Sequence, residues 1–347
     1  MDNPFERYHC QIALPGFGEW GQELLRSARV LVIGAGGLGC PATQYLTAAG
    51  IGTIGMADDD TISVKNLHRQ VLFNPDDTGK KKVDILCKRL HAQNPSIRII
   101  PYDLRVTSDN VMELISGYDL IMEGADNFET KCLINDACVL AGKPLIYGAI
   151  YQYEGQVAVW NVRGSAGTYS PNYHDVFPDV ENAQVPNCAD GGVLPTLAGI
   201  VGCMQANEAI KYFIHDKNLL TGKLWMMNVQ SGETRIIQLG KITHTKITTL
   251  TPSVPVITYS ELEGGMYELI DVRTEEENHY FNIGGKNIPL IKLEEQISFV
   301  DSSKTVVFYC ARGERSERAV NIFKKYFPGG KAYSLKGGIE NLKRVLL

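Results

Sequence analysis

The sequence predicts an α/β protein in two parts, a mostly parallel sheet layered with helices and then a smaller α/β unit. Three features carry that expectation. Short apolar runs rich in β-branched residues alternate with helical spacings through much of the chain. A glycine cluster, G-A-G-G-L-G at 34–39, falls between the first such run and the first helical segment. A threonine-rich stretch ending in two prolines, 241–255, lacks helical periodicity and separates this pattern from a shorter second one.

Taken in order, R-V-L-V-I-G at 29–34 reads as a buried strand, 40–49 carries helical spacing up to Gly50, and T-I-G-M-A-D at 53–58 reads as the next strand. Further strands are expected at 97–102, 120–123, 145–149 and 156–160, with helices at 81–93, 109–116 and 129–141. The amphipathic stretch 195–214 reads as a long helix, and 224–228 and 234–239 as antiparallel strands at a sheet end. The domains are accordingly 1–240, a linker at 241–255, and 256–347. In the last part, strands are expected at 267–271, 305–309 and 331–335, with a helix at 316–326.

A length of 347 residues is long for one core, which agrees with two domains. With 44% apolar and 21% charged residues, the composition is that of a soluble globular protein. A formal net charge of −5 gives no electrostatic reason to expect nucleic acid as a partner. No apolar run approaches the roughly 18 residues of a membrane span. The polar segment 1–7 does not read as a secretion signal, so a cytoplasmic protein without membrane association is expected. The cysteines (Cys10, Cys40, Cys87, Cys132, Cys138, Cys188, Cys203 and Cys310) are scattered, and no C-x-x-C occurs. Free thiols are expected, with neither a disulfide framework nor a four-thiolate zinc.

Gly34, Gly36 and Gly39 have G-x-G-x-x-G spacing, with Gly37 beside them, and Asp58 closes the next strand 19 residues after Gly39. Glycines let backbone approach phosphate, a helix N-terminus favours the anion, and the acid accepts ribose hydroxyls. Nucleotide binding is the expectation. A dehydrogenase using NAD would show this much too.

The residues after the glycines separate those readings. Positions 58–70 read D-D-D-T-I-S-V-K-N-L-H-R-Q, with G-K-K-K-V-D at 79–84 and G-A-D-N at 124–127. With R-Y-H-C-Q at 7–11 and V-P-N-C-A-D-G-G at 185–192, these motifs resemble the MoeB/ThiF/HesA family, bacterial relatives of ubiquitin-activating enzymes. The resemblance spans about residues 5–240 and implies a Rossmann-like, ATP-binding adenylation domain that works as a homodimer. By that resemblance Asp58 is the ribose acid; Asn66, Arg69 and Gln70 form the phosphate-side cluster; Lys82 contacts phosphate; and Asp126 holds Mg²⁺. The chemistry agrees. A carboxylate attacking the α-phosphate must overcome repulsion between anions, so Arg, Lys and Mg²⁺ belong around the triphosphate.

The family commonly reads R-Y-x-R-Q, and its second arginine reaches a neighbouring subunit's nucleotide; here that position is Cys10. Compensation by Arg7 or another cation is expected. Cys188 matches a cysteine that in relatives forms thioester, acyl-disulfide or persulfide links, and thiolate nucleophilicity gives the reason for one beside an acyl-adenylate. A small buried residue there would leave the same trace. Family zinc sites join two C-x-x-C pairs. The first falls here on N-Y-H-D, with Asn172 and Asp175 at the ligand positions, and the second on the 240–250 stretch. No structural zinc is expected, and His174, Asp175 and His244 read as solvated loop residues.

Y-E-L-I-D-V-R at 267–273, N-I-P-L at 287–290 and C-A-R-G-E-R-S at 310–316 resemble a rhodanese domain over about 255–347. In that family a strand ends at the cysteine, and loop N–H groups with a helix end surround its sulfur. Cys310 is therefore the expected persulfide carrier. Arg312 and Arg315 are expected to add positive charge, Ser316 to cap or hydrogen-bond the loop, and Asp271 with Arg273 to form a structural ion pair.

The combination implies ATP-dependent adenylation of the C-terminal glycine of a ubiquitin-like sulfur-carrier protein. Sulfur from a Cys310 persulfide, charged by a donor such as a cysteine desulfurase, would then give a thiocarboxylate for molybdopterin, thiamine, tRNA thiolation or a specialised metabolite. Adenylation of a peptide or other carboxylate, and a regulatory module with a degenerate nucleotide site, stay open as alternatives.

Overall fold

Two short helices, α1 (His9–Ile12) and α2 (Gly18–Ser27), precede β1 (Arg29–Ile33). The aliphatic run of β1 is buried on both faces, as a central parallel strand requires. Val30 and Val32 enter one core with Leu46, Leu86 and Val201; Leu31 and Ile33 enter the other with Val111, Ile134 and Trp160. That alternation is the two-residue period of a strand expressed on two covered faces.

The computed structural model describes residues 5–164, 167–178, 191–262, 265–340 and 342. They divide into Met1–Thr251 and Pro252–Leu347. After β1 come α3 (Gly39–Ala49), β2 (Thr53–Ala57), α4 (Lys82–Gln93), β3 (Arg98–Tyr102), α5 (Val111–Ser116), β4 (Leu120–Glu123), α6 (Phe128–Ala141) and β5 (Leu145–Tyr151). Then come β6 (Glu154–Trp160), α7 (Tyr173–Val176), α8 (Pro195–Phe213), β7 (Lys223–Asn228) and β8 (Thr234–Gln238).

The sheet order is β3-β2-β1-β4-β5-β6-β7-β8, parallel through β5 and antiparallel beyond it. Strand order reverses between β1 and β4, so the carboxyl ends of β1, β2 and β4 open a crevice of the kind that binds ligands.

The second unit carries β9 (Val256–Ile257), α9 (Tyr259–Leu262), β10 (Tyr267–Asp271), α10 (Glu275–Tyr280), β11 (Lys286–Asn287), β12 (Thr305–Tyr309), α11 (Glu314–Tyr326) and β13 (Ala332–Leu335). Its sheet, β11-β10-β12-β13-β9, is wholly parallel. α11 buries Ser316, Ala319, Val320 and Phe323, an apolar stripe at helical spacing, against Phe308 of β12.

Several elements differ from the sequence reading, which had no α1, α7, α9 or α10. α2 begins at Gly18 and includes Gly21, residues that depress helix propensity, and it forms by burying Gln22 and Leu25. β9 and β11 have two residues each, too short to carry a period. α11 starts at Glu314, two residues before the serine expected to open it. Among the described residues, no helix is long and apolar enough to cross a membrane.

Candidate active sites

The first site forms where the β1, β2 and β4 ends meet. Gly34 follows β1 with φ +105°, and a Cβ there would lie 2.7 Å from the Gly124 carbonyl oxygen, so only glycine fits this approach of two strand ends. Gly36 and Gly37 lead into Gly39, the first residue of α3. Asp58 follows β2 and accepts the Ala35 amide at 2.8 Å, tying its carboxylate to the glycine turn.

The segment expected to supply polar groups folds back over that turn. The carbonyl of Asn66 accepts the amides of Arg69 and Gln70 at 3.1 and 3.0 Å. Arg69 Cγ stands 3.4 Å from where a Gly37 Cβ would be, and Gln70 Nε2 3.7 Å from the same point on Gly36. Gln70 is buried, yet its Oε1 has no partner among the described residues. A buried, unsatisfied amide beside a glycine turn at a helix start suits a polar ligand, as a nucleotide is.

Lys82, the first residue of α4, is also buried; its Nζ pairs with Asp60 at 2.7 Å and lies 3.9 Å from Asp58. Burial pulls Lys82 down, but Asp58 and Asp60 more than offset it, so the ammonium is held charged. Burial likewise pushes the Asp58 carboxyl up, against the pull of Lys82. Asp126, exposed just past β4, is close enough to act electrostatically on both Lys82 and Glu123. The structure thus brings Gly34, Gly36, Gly37, Gly39, Asp58, Arg69, Gln70, Lys82 and Asp126 together at these strand ends, while Asn66 takes part through its backbone carbonyl. The sequence reading missed Asp60, although the D-D-D run marked the place.

Arg7 donates to the Gln93 carbonyl at 3.1 Å, at the end of α4, and Cys10 is exposed on α1. Cys188 lies outside the described residues. Burial pushes the Cys40 and Cys87 thiols up to about 12, which keeps them protonated and unsuited to nucleophilic work.

The residues at the expected zinc positions form something else. Asp175 accepts five hydrogen bonds: from the Asn172 amide (2.9 Å) and Thr243 hydroxyl (2.6 Å) on Oδ2, and from the His244 amide (2.9 Å) and the Thr245 amide and hydroxyl (both 2.7 Å) on Oδ1. Asn172, fully buried, donates to the Thr243 hydroxyl at 2.8 Å. Burial would raise the Asp175 carboxyl, but these bonds hold it at about 2. His174 Nε2 sits 2.8 Å from Asp136 Oδ1. The expectation of solvated loop residues is corrected for Asp175, which joins two segments distant in sequence, and for His174, which pairs with Asp136; His244 is exposed and takes part through its backbone amide alone. The donor set is amide, carboxylate and hydroxyl, already hydrogen-bonded, and it does not fit a thiolate zinc site. Among the described residues, no group of three or more His, Cys, Asp or Glu is placed to hold a metal ion.

In the second unit, Cys310 follows β12, and its Sγ accepts the Gly313 amide at 3.1 Å. Gly313 has φ +112°, a conformation that favours glycine, where the loop turns into α11. The Ser316 hydroxyl lies 3.6 Å from Sγ and donates to the Gly313 carbonyl at 2.7 Å, so it braces the loop from inside α11. Ile339 and Glu340 amides donate to the Cys310 and Ala311 carbonyls at 3.0 and 2.9 Å, fixing the loop from its far side.

Asp271 and Arg273 form the expected buried pair, at 2.5 Å. Arg315 and Arg312 are both paired with carboxylates, though Arg315 still acts electrostatically on Cys310. Arg315 grips Glu277 through two 2.7 Å bonds, which hold the Glu277 carboxyl at about 2, and Arg312 pairs with Glu340 at 2.7 Å. Carboxylates reach both guanidinium groups from outside the loop, a contact invisible in C-A-R-G-E-R-S.

Comparison with known proteins agrees with this geometry. Residues 8–248 match the ThiF family and residues 255–344 the rhodanese-like domain. The Thermus thermophilus sulfur carrier protein adenylyltransferase is 45% identical over 231 residues, 66% of this chain and 85% of that protein. The Mycobacterium tuberculosis probable adenylyltransferase/sulfurtransferase MoeZ is 37% identical over 359 residues, covering 96% of this chain and 91% of that one. Escherichia coli MccB, solved with ATP, superposes with a TM-score of 0.61 at 21% identity over 70% of this chain and 74% of MccB, a likeness of fold. With the glycine crevice in one unit and the cradled cysteine in the other, the chain belongs to the ThiF family and carries a rhodanese-like domain after it.

Proposed function

We propose that this enzyme, an adenylyltransferase joined to a sulfurtransferase, activates the C-terminal glycine of a ubiquitin-like sulfur carrier with ATP and converts it to a thiocarboxylate. One observation carries the reading: a cation-lined glycine crevice and a loop-cradled Cys310 occur on one chain.

ATP enters as substrate. The Gly34–Gly39 turn and the start of α3 would receive its phosphates, Asp58 its ribose, and Arg69 and Lys82 the charge of the triphosphate. Asp126 would hold Mg²⁺, which supplies charge neutralisation when bound. A carrier carboxylate oxygen attacks the α-phosphorus, the bond to the bridging oxygen breaks, and pyrophosphate leaves. Attack by the terminal sulfur of a Cys310 persulfide on the acyl carbon then expels AMP and leaves an acyl disulfide. A thiolate, with Cys188 the candidate, attacks Sγ of Cys310 and releases the thiocarboxylate. The disulfide left behind is reduced by an external dithiol.

The enzyme works as a homodimer in this reading, and a cysteine desulfurase or similar persulfide source charges Cys310. We also propose that it needs no structural zinc, the Asp175 cluster joining 172–175 to 243–245 instead. Incubating the protein with Gly-Gly-ended carriers, Mg²⁺-ATP and a persulfide donor, then weighing the carrier, tests the reading. Replacement of one oxygen by sulfur is expected. Pyrophosphate exchange without any carrier would point to a peptide or other carboxylate, and no mass change with any carrier would overturn the proposal.

A further inference from the structure

At the root of the Asp126 turn lies a charged cluster that no step above uses. Glu123, the last residue of β4, is 1% exposed, and Lys131 of α6 is 7% exposed. Lys131 Nζ donates to both Glu123 carboxylate oxygens at 2.8 and 2.6 Å and to the Gly148 carbonyl of β5 at 2.9 Å. Glu123 Oε1 also accepts the Ala125 amide at 2.6 Å. Gln205 of α8, wholly buried, donates to the Glu123 carbonyl at 2.6 Å. A Cβ on Gly148 would lie 2.6 Å from the Gln205 amide, so the cluster also dictates glycine on β5.

Well-packed apolar residues commonly serve stability as well as a buried ion pair does, or better. This pair stands where β4 gives way to Gly124, Ala125 and Asp126, and its carboxylate folds back onto the amide next to Asp126. We propose that Glu123 and Lys131 are positioning residues for adenylation: together they fix the Ala125 amide and so the aim of the Asp126 carboxylate. Lys131 keeps Glu123 ionised and oriented, and anchors it to β5. The inference rests on the adenylation reading of this crevice.

Three variants separate positioning from stability. Lys131→Met alone strands a buried carboxylate and should melt lowest. Glu123→Leu/Lys131→Met and Glu123→Gln/Lys131→Met both remove the charges, but only glutamine keeps an oxygen for the Ala125 amide. The two double variants should melt alike. The leucine form should run ATP–pyrophosphate exchange about 10²-fold slower than the glutamine form, the size of loss a small misplacement produces. Without any ligand, hydrogen exchange at the Ala125 amide should be fast in the leucine form and slow in the glutamine form. Equal turnover of the two forms, or equal protection of Ala125, overturns the proposal. An inactive wild type would instead sink the adenylation reading, while amide exchange still tests the positioning. Should both double variants fail to fold, Glu123→Gln alone must keep Ala125 protected, and loss of that protection overturns it.

Discussion

Replacing Asp175 with asparagine probes the cluster that stands at the expected zinc positions. Oδ1 of Asp175 serves three donors and Oδ2 serves two. Whichever way an asparagine amide turns, its NH₂ meets one of those sets, so at least two donors lose their acceptor. At about 1 kcal/mol per lost bond at a part-exposed site, the local cost is about 2 kcal/mol, or a roughly 30-fold rise in opening of the 243–245 segment. Lys241 and Lys246 flank that segment and make tryptic cleavage a direct readout. Asp175→Asn should be cut there about 30-fold faster under conditions where opening precedes cleavage. The pH dependence has a fixed sign. The folded carboxyl is held at about 2 against an ordinary 3.8, so its stabilisation is complete above pH about 4 and is lost as pH falls toward 2. That shift corresponds to about 2.5 kcal/mol at most, and solvent screening lowers it to about 1 kcal/mol. A strong zinc chelator should leave the wild-type melting temperature unchanged. An unchanged tryptic rate in the variant, or a chelator-induced loss of stability, would refute the reasoning.

Lys82→Met should slow carrier-dependent ATP turnover by about 10²-fold or more, because Asp58 and Asp60 are left to repel the triphosphate; steady-state kinetics at saturating Mg²⁺ will show it. Cys310→Ala should abolish thiocarboxylate formation while leaving pyrophosphate exchange intact, which mass spectrometry and exchange assays separate. Compensation for the missing arginine means that Cys10→Arg leaves the exchange rate unchanged; a gain toward the roughly 10³-fold an arginine can contribute would show that its loss limits the enzyme.

Much of the first site was legible because its parts are local in sequence. Gly34 to Gly39 follow a strand and open a helix, and Asp58 ends the next strand, so spacing alone places them together. The Arg69 and Lys82 contributions needed the family pattern, since a lysine in G-K-K-K reads equally as a solvated charge. Glu123 and Lys131 were hidden for the same reason. Glu123 closes an apolar run as any strand-end acid might, Lys131 sits in F-E-T-K as if facing water, and only packing of α6 against β4 brings them together. The bonds from Asp175 to Thr243, His244 and Thr245 cross about seventy positions, which no local pattern reveals. The β5–β6 hairpin turns at Gln152 with φ 52°, without the Asn-Gly or Asp-Gly that would have announced it.

The most direct test tracks ATP to AMP, with a persulfide donor present, in the presence of a ubiquitin-like carrier bearing either a free or an amidated C-terminal glycine. Carboxylate activation in the Asp58–Lys82 crevice predicts AMP and pyrophosphate in equal amounts with the free carrier and neither with the amidated one. AMP formation indifferent to the amide, or absent with every free carrier, would contradict it.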